Sequence, residues 1–206
     1  MARTGSSYGG GRWQDHRVAL FVISGVPASG KSTVARLLAS RLDRAVYVPG
    51  DTIRSMVISG HAAAGDAQLD QLLLRYQAAL ALAGVYLEAG FDVIVEDVII
   101  GQVLRQFLGL VPVPEMQLVF LDPNTASLSE RDANRTKTAY GERWNVRQLR
   151  DVMHLETARI GLWLDSTELS AEQTVDAILA DLSASRVVVS RLAASAVRRR
   201  RFGPPR

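Results

Sequence analysis

Residues 18–33 read VALFVISGVPASGKST, and the rest of the chain is read outward from them. Val18–Ser24 is a short unbroken apolar run that stops at Gly25, the pattern of a strand buried on both faces. Gly25, Val26, Pro27, Ala28, Ser29, Gly30, Lys31 and Ser32 then spell G-x-x-x-x-G-K-[ST], with Thr33 beyond. The apolar positions Val34, Leu37, Leu38 and Leu42 follow at helical spacing. Each part has a physical task. The glycines allow backbone torsions that turn successive N–H groups inward into an anion nest. The helix that starts near Lys31 adds its positive dipole end. Lys31 is placed to reach the β- and γ-phosphates, and the Ser32 hydroxyl to ligate Mg²⁺. Strand, glycine loop and helix in this order predict a nucleoside triphosphate site cradled by residues 25–33.

The same alternation continues along the chain. Ala45–Val48 predicts a second strand ended by Pro49-Gly50, and Thr52–Ser59 a helix with Asp51 near its N-terminus. Asp70–Ala89 predicts a long helix, with Leu73, Tyr76, Leu80 and Leu87 in its apolar stripe and Gly90 as its C-cap. Phe91–Val95 is a third strand running into Glu96-Asp97, and Leu104–Leu110 a helix broken by Pro112 and Pro114. Gln117–Leu121 is a fourth strand, and residues 126–138 and 145–159 are helices flanking a turn at Tyr140-Gly141. Gly161–Asp165 is a fifth strand. Ala171–Ser183 is a last helix, opened by Ser170 with Gln173 three residues later as a capping box. Short buried strands alternating with helices imply an α/β fold, a parallel sheet covered on both faces.

Composition narrows the chemistry. The 206 residues contain no cysteine, which excludes a disulfide scaffold, a thiolate metal site and a cysteine nucleophile. Three scattered histidines give a histidine-built metal site little to work from. No run approaches the ~18 apolar residues of a membrane span, and the opening stretch lacks a signal-peptide core, so a cytoplasmic chain without membrane contact is expected. The net charge of +3 is uneven: residues 1–17 carry +2, residues 186–206 carry +7, and residues 18–185 carry −6. The basic character belongs to the ends, which are expected to be a flexible N-terminal tail (1–17) and an Arg-rich C-terminal tail (186–206) around one domain (18–185).

Acceptor chemistry belongs beside the phosphate loop, at the carboxyl ends of the strands. Asp51, in G-D-T-I-R, and Asp97, in V-E-D-V, stand there. A carboxylate near the γ-phosphate can take the proton of an attacking hydroxyl or hold water on Mg²⁺. Asp97 is assigned the Mg²⁺ side, with Glu96 as its rival because consecutive strand residues point to opposite faces. Asp51 reads either as that proton acceptor or as a helix N-cap. Arg54, one turn on, shares the face of Asp51 and suits an acceptor anion. Arg131 and Arg135, four apart and followed by Lys137, share one helix face in a segment (126–145) placed to act as a lid. Glu130 and Asp132 beside them leave open a reading as surface ion pairs.

With these pieces in this order, the chain resembles the chloramphenicol phosphotransferase-like group of small P-loop kinases. The carrying residues are GVPASGKST (25–33), GDTIRSM (50–56), EAGFDVIVEDVIIG (88–101) and the R-x-x-x-R of Arg131 and Arg135. Size and layout are also similar to a tunicamycin-resistance-type ATP-binding protein. The resemblance spans roughly residues 18–183. It implies a P-loop NTPase fold, a three-layer α/β/α with a five-stranded parallel sheet of nucleoside-monophosphate-kinase type and a helical lid. It further implies ATP with Mg²⁺ as donor and a hydroxyl of a small molecule as acceptor. On that resemblance Asp51 is the general base, Gly25–Thr33 the nucleotide cradle, and Arg131 and Arg135 the lid arginines. Arg54 in D-x-x-R departs from the group and is shared with kinases of phosphorylated acceptors, such as polynucleotide 5′-kinases and adenylylsulfate kinases.

Three functions are consistent with these readings. The favoured one is transfer of the γ-phosphate to an antibiotic or similar natural-product alcohol, held between residues 51–75 and the Asp97–Gln102 turn, with Met56, Tyr76 and Gln102 in its lining. The second is a nucleic-acid 5′-end or nucleotide kinase, with Arg54 on the acceptor phosphate and the basic tail on the strand. The third is a nucleotide-binding module that sequesters a ligand without phosphorylating it.

Overall fold

The computed structural model describes residues 18–62, 65–133 and 145–189. In chain order the elements are β1 (Leu20–Gly25), α1 (Lys31–Arg41), β2 (Ala45–Pro49), α2 (Gly50–Ser55), α3 (Asp66–Glu88) and β3 (Asp92–Glu96). Then come α4 (Val103–Leu108), β4 (Glu115–Leu121), α5 (Thr125–Ala133), α6 (Val146–Glu156) and β5 (Leu162–Leu164). The described part closes with α7 (Ala171–Ala180), α8 (Leu182–Ser185) and β6 (Arg186–Val188). The strands lie in the order β2-β3-β1-β4-β5, all parallel, as the strand–helix alternation requires. This is the P-loop NTPase architecture expected from the sequence.

The pleat of the central strands divides the core into two layers. Leu20, Val22, Val93, Val95, Leu118 and Phe120 face α3, α4 and α6, where they meet Tyr76, Leu80, Leu104, Phe107 and Met153. Their neighbours Phe21, Ile23, Ile94, Val119 and Leu121 face α1 and α7, against Val34, Leu38, Val175 and Ile178. Both faces of β1, β3 and β4 are apolar because both are covered, which is why these strands read as continuous hydrophobic runs.

Several boundaries move. The helix foreseen at 171–183 ends at Ala180, and the Asp181 side chain accepts a hydrogen bond from the Ala184 N–H (3.0 Å) to start α8. The Ser170–Gln173 capping box forms as expected, and Asn145 with Gln148 makes a second one at α6. Helix α2 begins at Gly50 with Pro49 as N-cap, so Asp51 lies within its first turn and does not cap it. The sheet also has a sixth strand. β6 runs antiparallel to β4 over Glu115–Gln117, whereas β5 takes Val119–Leu121 of the same edge. The domain therefore extends past residue 185, and residues 186–189 belong to the sheet and core rather than to a tail. Residues 1–17 and 190–206 lie outside the described residues.

Gly161 fixes the entry into β5. Its φ is +71°, and a Cβ there would run into the carbonyl oxygen of Leu118. Gly161→Ala should lose roughly 2 kcal/mol or more, lowering Tm by roughly 4–8 °C. Gly60→Ala, also at positive φ (+79°) but with open space around it, should lose only about 1 kcal/mol. Thermal melts of the two variants check the difference.

Candidate active site

Strand register gathers the site. Gly25 pairs with Leu121 and Pro49 with Glu96, so the loops after β1, β2, β3 and β4 leave the sheet along one edge. That carboxyl edge is where open parallel sheets bind ligands.

The phosphate loop is packed tightly. Gly25 (φ +140°) lies against β4: a Cβ would stand 2.6 Å from the Leu121 carbonyl oxygen and 2.9 Å from Ser29 Oγ. Gly30 (φ +94°) precedes α1, and Ala28 takes φ +62°, a left-handed torsion that costs an alanine about 1–2 kcal/mol. The first bond of α1 runs from the Val34 N–H to the Gly30 carbonyl (3.0 Å), so the amides of Ser32 and Thr33 point out of the helix end. Lys31 is buried, and its Nζ donates to the Val26 carbonyl (2.9 Å) across the loop. A Cβ on Gly30 would be 3.9 Å from Arg131 Nη1, which hangs the Arg131 guanidinium over the loop. Arg131 Nη2 donates to the Ser166 carbonyl after β5 (3.3 Å). Arg135, with Lys137 and most of the expected lid, lies outside the described residues.

The two acids that end β3 part company. Glu96 has the parity of Ile94 and faces α1; Asp97 has the parity of Val95 and faces α3. Ser32 Oγ donates to Glu96 Oε2 (3.2 Å), and Tyr47 OH donates to the same oxygen (2.9 Å). Burial and the Glu96 charge push the Tyr47 phenol up to about 12, so it stays a donor at neutral pH. Asp97 Oδ1 instead accepts from Arg75 Nη2 (2.7 Å) and from the Val98 N–H (2.7 Å). Asp97 Oδ2 is buried with no hydrogen-bond partner among the described residues and lies where a Cβ on Gly50 would collide with it. The carboxylate beside the Ser32 hydroxyl is thus Glu96, the rival considered from the sequence, and Asp97 faces the other side of the sheet. Ser32 gives its proton to Glu96, which leaves its oxygen lone pairs to a cation, so the residues fit Mg²⁺ there. Among the described residues no three His, Asp or Glu side chains gather to hold a metal by themselves. In phosphate-loop proteins Mg²⁺ is held by the loop's Ser or Thr hydroxyl together with an acid and the phosphate oxygens, so no cluster of protein ligands is required.

On the other side lies a cleft of about 1000 Å³ between α2 and α3. Asp51 and Arg54 line it, both exposed, with Ser55, His61, Gln68, Gln71 and Arg75 as other polar groups. Ile53, Met56, Leu69, Leu72 and Leu74 are among its apolar walls. Of the lining expected from sequence, Met56 is present. Tyr76 instead is buried under the sheet, giving its OH to the Val98 carbonyl (2.8 Å), and Gln102 is not among the lining residues.

A family model described as an AAA domain matches residues 20–155, from β1 to α6. The chain belongs to that family. A search of curated protein sequences finds no match. Among solved structures, this AAA domain is similar to a sugar kinase from Janibacter sp. HTCC2649, with 19% identity over 87% of this chain and 99% of that one, at a TM-score of 0.62. It is also similar to a tunicamycin resistance protein from Deinococcus radiodurans (18% identity, 83% of this chain and 99% of that one, TM-score 0.59). A third likeness is an APS kinase of Mycobacterium tuberculosis in complex with AMPPNP and APS (17% identity, 81% and 98%, TM-score 0.55). At these identities the likeness establishes a small-kinase P-loop fold for the AAA domain. Among the described residues no helix is long and apolar enough to cross a membrane.

Two site residues escaped the sequence reading. Arg75 was visible as the sole charge between Asp70 and Glu88 of a helix otherwise built for a core, where an unpaired charge is costly. Tyr47 carried no signal, since an aromatic in a buried strand ordinarily packs.

Burial raises the Asp97 carboxyl from 3.8 to about 6, against the opposing pull of Arg75. The folded chain holds this proton more tightly than the unfolded chain does. The group's contribution to stability is present below about 4 and is lost as pH rises through about 6. Asp97→Asn, which cannot titrate, should flatten that part of the curve in urea unfolding between pH 4 and 7. An unchanged slope would remove the raised Asp97.

Proposed function

We propose that this chain is an ATP-dependent O-phosphotransferase that moves the γ-phosphate of ATP to a hydroxyl of a small molecule such as an antibiotic or natural-product alcohol. The observation that supports it most is the placement of Asp51. It follows Gly50, which lies against the Asp97 carboxylate at the carboxyl edge of the sheet, and it lines the largely apolar cleft between α2 and α3. In this reading the cleft holds the acceptor's apolar body and directs its hydroxyl toward the phosphate loop.

The steps follow from the residues. The loop amides, the α1 end and Lys31 bind the phosphates of ATP. Ser32, with Glu96 accepting from its hydroxyl, would hold Mg²⁺, which when bound would supply charge neutralisation to the phosphates. Asp51 takes the proton of the acceptor hydroxyl as its oxygen bonds to the γ-phosphorus. The bond from that phosphorus to the β-bridging oxygen breaks, and ADP leaves. Arg131, above Gly30, stabilises the charge that spreads over the transferring group, and Arg135 is assigned the same task from the lid.

The reading as a kinase of phosphorylated or 5′-end acceptors rests on Arg54, which lines the cleft. Its neighbour Arg75 is already neutralised by Asp97, so among the described residues an acceptor phosphate would meet one exposed arginine in the cleft. That favours an uncharged alcohol.

Turnover of ATP with Mg²⁺ against antibiotic alcohols, nucleosides, nucleotides and a 5′-hydroxyl oligonucleotide, with ³¹P NMR of the products, tests the reading. A phosphomonoester on a small alcohol is expected; phosphate on the oligonucleotide would replace it with the second function. Asp51→Asn should lower kcat by about 10²–10⁴ with ATP affinity little changed. Lys31→Ala should lose both binding and turnover. If Asp51→Asn keeps more than about a tenth of kcat, Asp51 is not the base, and ligand protection without transfer points to a sequestering module.

A further inference from the structure

On the α1 side of the sheet four side chains form a closed run of contacts. Arg36 lies over the Tyr47 ring, its Cζ 4.8 Å from the centroid. Tyr47 OH donates to Glu96 Oε2, and Ser32 Oγ donates to the same atom. Ser32 and Arg36 are one turn apart on α1, so the run leaves the helix, crosses β2 and β3, and returns to it. The register explains the reach. Pro49 pairs with Glu96 and Tyr47 with Ile94, so Tyr47 is the diagonal neighbour of Glu96 on one face of the sheet.

We propose that Tyr47 is a positioning residue for the nucleotide-bound cation: its hydroxyl holds Glu96 in the orientation that receives the Ser32 proton. The proposal rests on the reading of residues 25–33 as an ATP–Mg²⁺ site. Glu96 ends its strand, and among the described residues two O–H donors, Ser32 and Tyr47, hold its Oε2. When Ser32 ligates a cation through its lone pairs, its O–H direction is set by what accepts the proton. A Glu96 free to turn would leave that direction unset. The phenol thereby orients a ligand through a carboxylate, the arrangement by which outer groups tune a metal site. Arg36 covers the ring and holds the phenol in place from the solvent side.

Tyr47→Phe isolates the effect, because it keeps the ring, its packing and the Arg36 contact and deletes one donor. Isothermal titration calorimetry with ATP, once with Mg²⁺ and once with EDTA, reads the two affinities. For the variant, the affinity with Mg²⁺ should fall about 10–100-fold, and that in EDTA should stay within about twofold. Equal losses in both conditions, or no loss in either, would overturn the proposal. Glu96→Gln and the double variant complete a cycle. Tyr47→Phe should cost little once Glu96 has been replaced; a full additional loss there means that Tyr47 acts without Glu96, and the proposal falls. A wild-type chain that binds ATP in neither condition defeats the nucleotide reading itself. One that binds ATP equally well with and without Mg²⁺ defeats the cation site and Tyr47's role, and leaves the phosphate loop standing.

Discussion

The pleat at the end of β3 governs both halves of the site. Successive residues of a strand must point to opposite faces. Because α1 covers one face and α3 the other, two adjacent carboxylates are delivered to two different neighbourhoods. Glu96 reaches the helix that opens from the phosphate loop, and Asp97 reaches Arg75 beside the cleft between α2 and α3. Neither acid could exchange roles with the other without reversing the register of a strand that is buried on both sides. The separation of the phosphate-loop side from the cleft side is therefore a property of the sheet before it is a property of any loop.

Close packing at the edge then holds these groups in place. Gly25 has no room for a side chain because the β4 backbone and Ser29 occupy the space, and Gly50 has none because Asp97 does. The Asp97–Arg75 pair is nearly buried, with Arg75 at 14% and Asp97 at 6% side-chain exposure. Removing one partner of such a pair is far costlier than removing a surface ion pair, because the remaining charge keeps its burial and loses its compensation. Asp97, through contact with Gly50, also backs the start of α2, the element that carries Asp51.

The sequence made the fold legible wherever a local pattern had one meaning. Val18–Ser24 and Phe91–Val95 are too apolar for half-covered strands, and the glycine–lysine loop between strand and helix has few other uses. The capping box at Ser170 was equally local. What escaped depended on facts that no local window contains. Parity alone shows that Glu96 and Asp97 diverge, but which of them meets Ser32 depends on which face α1 occupies, a matter of chain crossover. The strand at Arg186–Val188 could not be told from a terminal helix, because its partner is Glu115–Gln117, some seventy residues away, and three residues are too few for a period. Arg75 was a lone charge in an apolar helix, a visible anomaly whose partner only tertiary structure supplies.

The division of β4's outer edge has a consequence for the chain's behaviour in solution. β4 is seven residues long, and its Met116–Leu121 stretch contains no charge, the composition of a segment prone to cross-β stacking when its backbone lies open. On one side it is covered by β1. On the other, β5 and β6 each take about half, one from above and one from below. Two three-residue strands leave at the sheet margin edges too short to template another chain. Arg186, paired with Glu115, adds a charge at that margin. The short antiparallel addition therefore leaves less of the β4 backbone open to pairing with another chain.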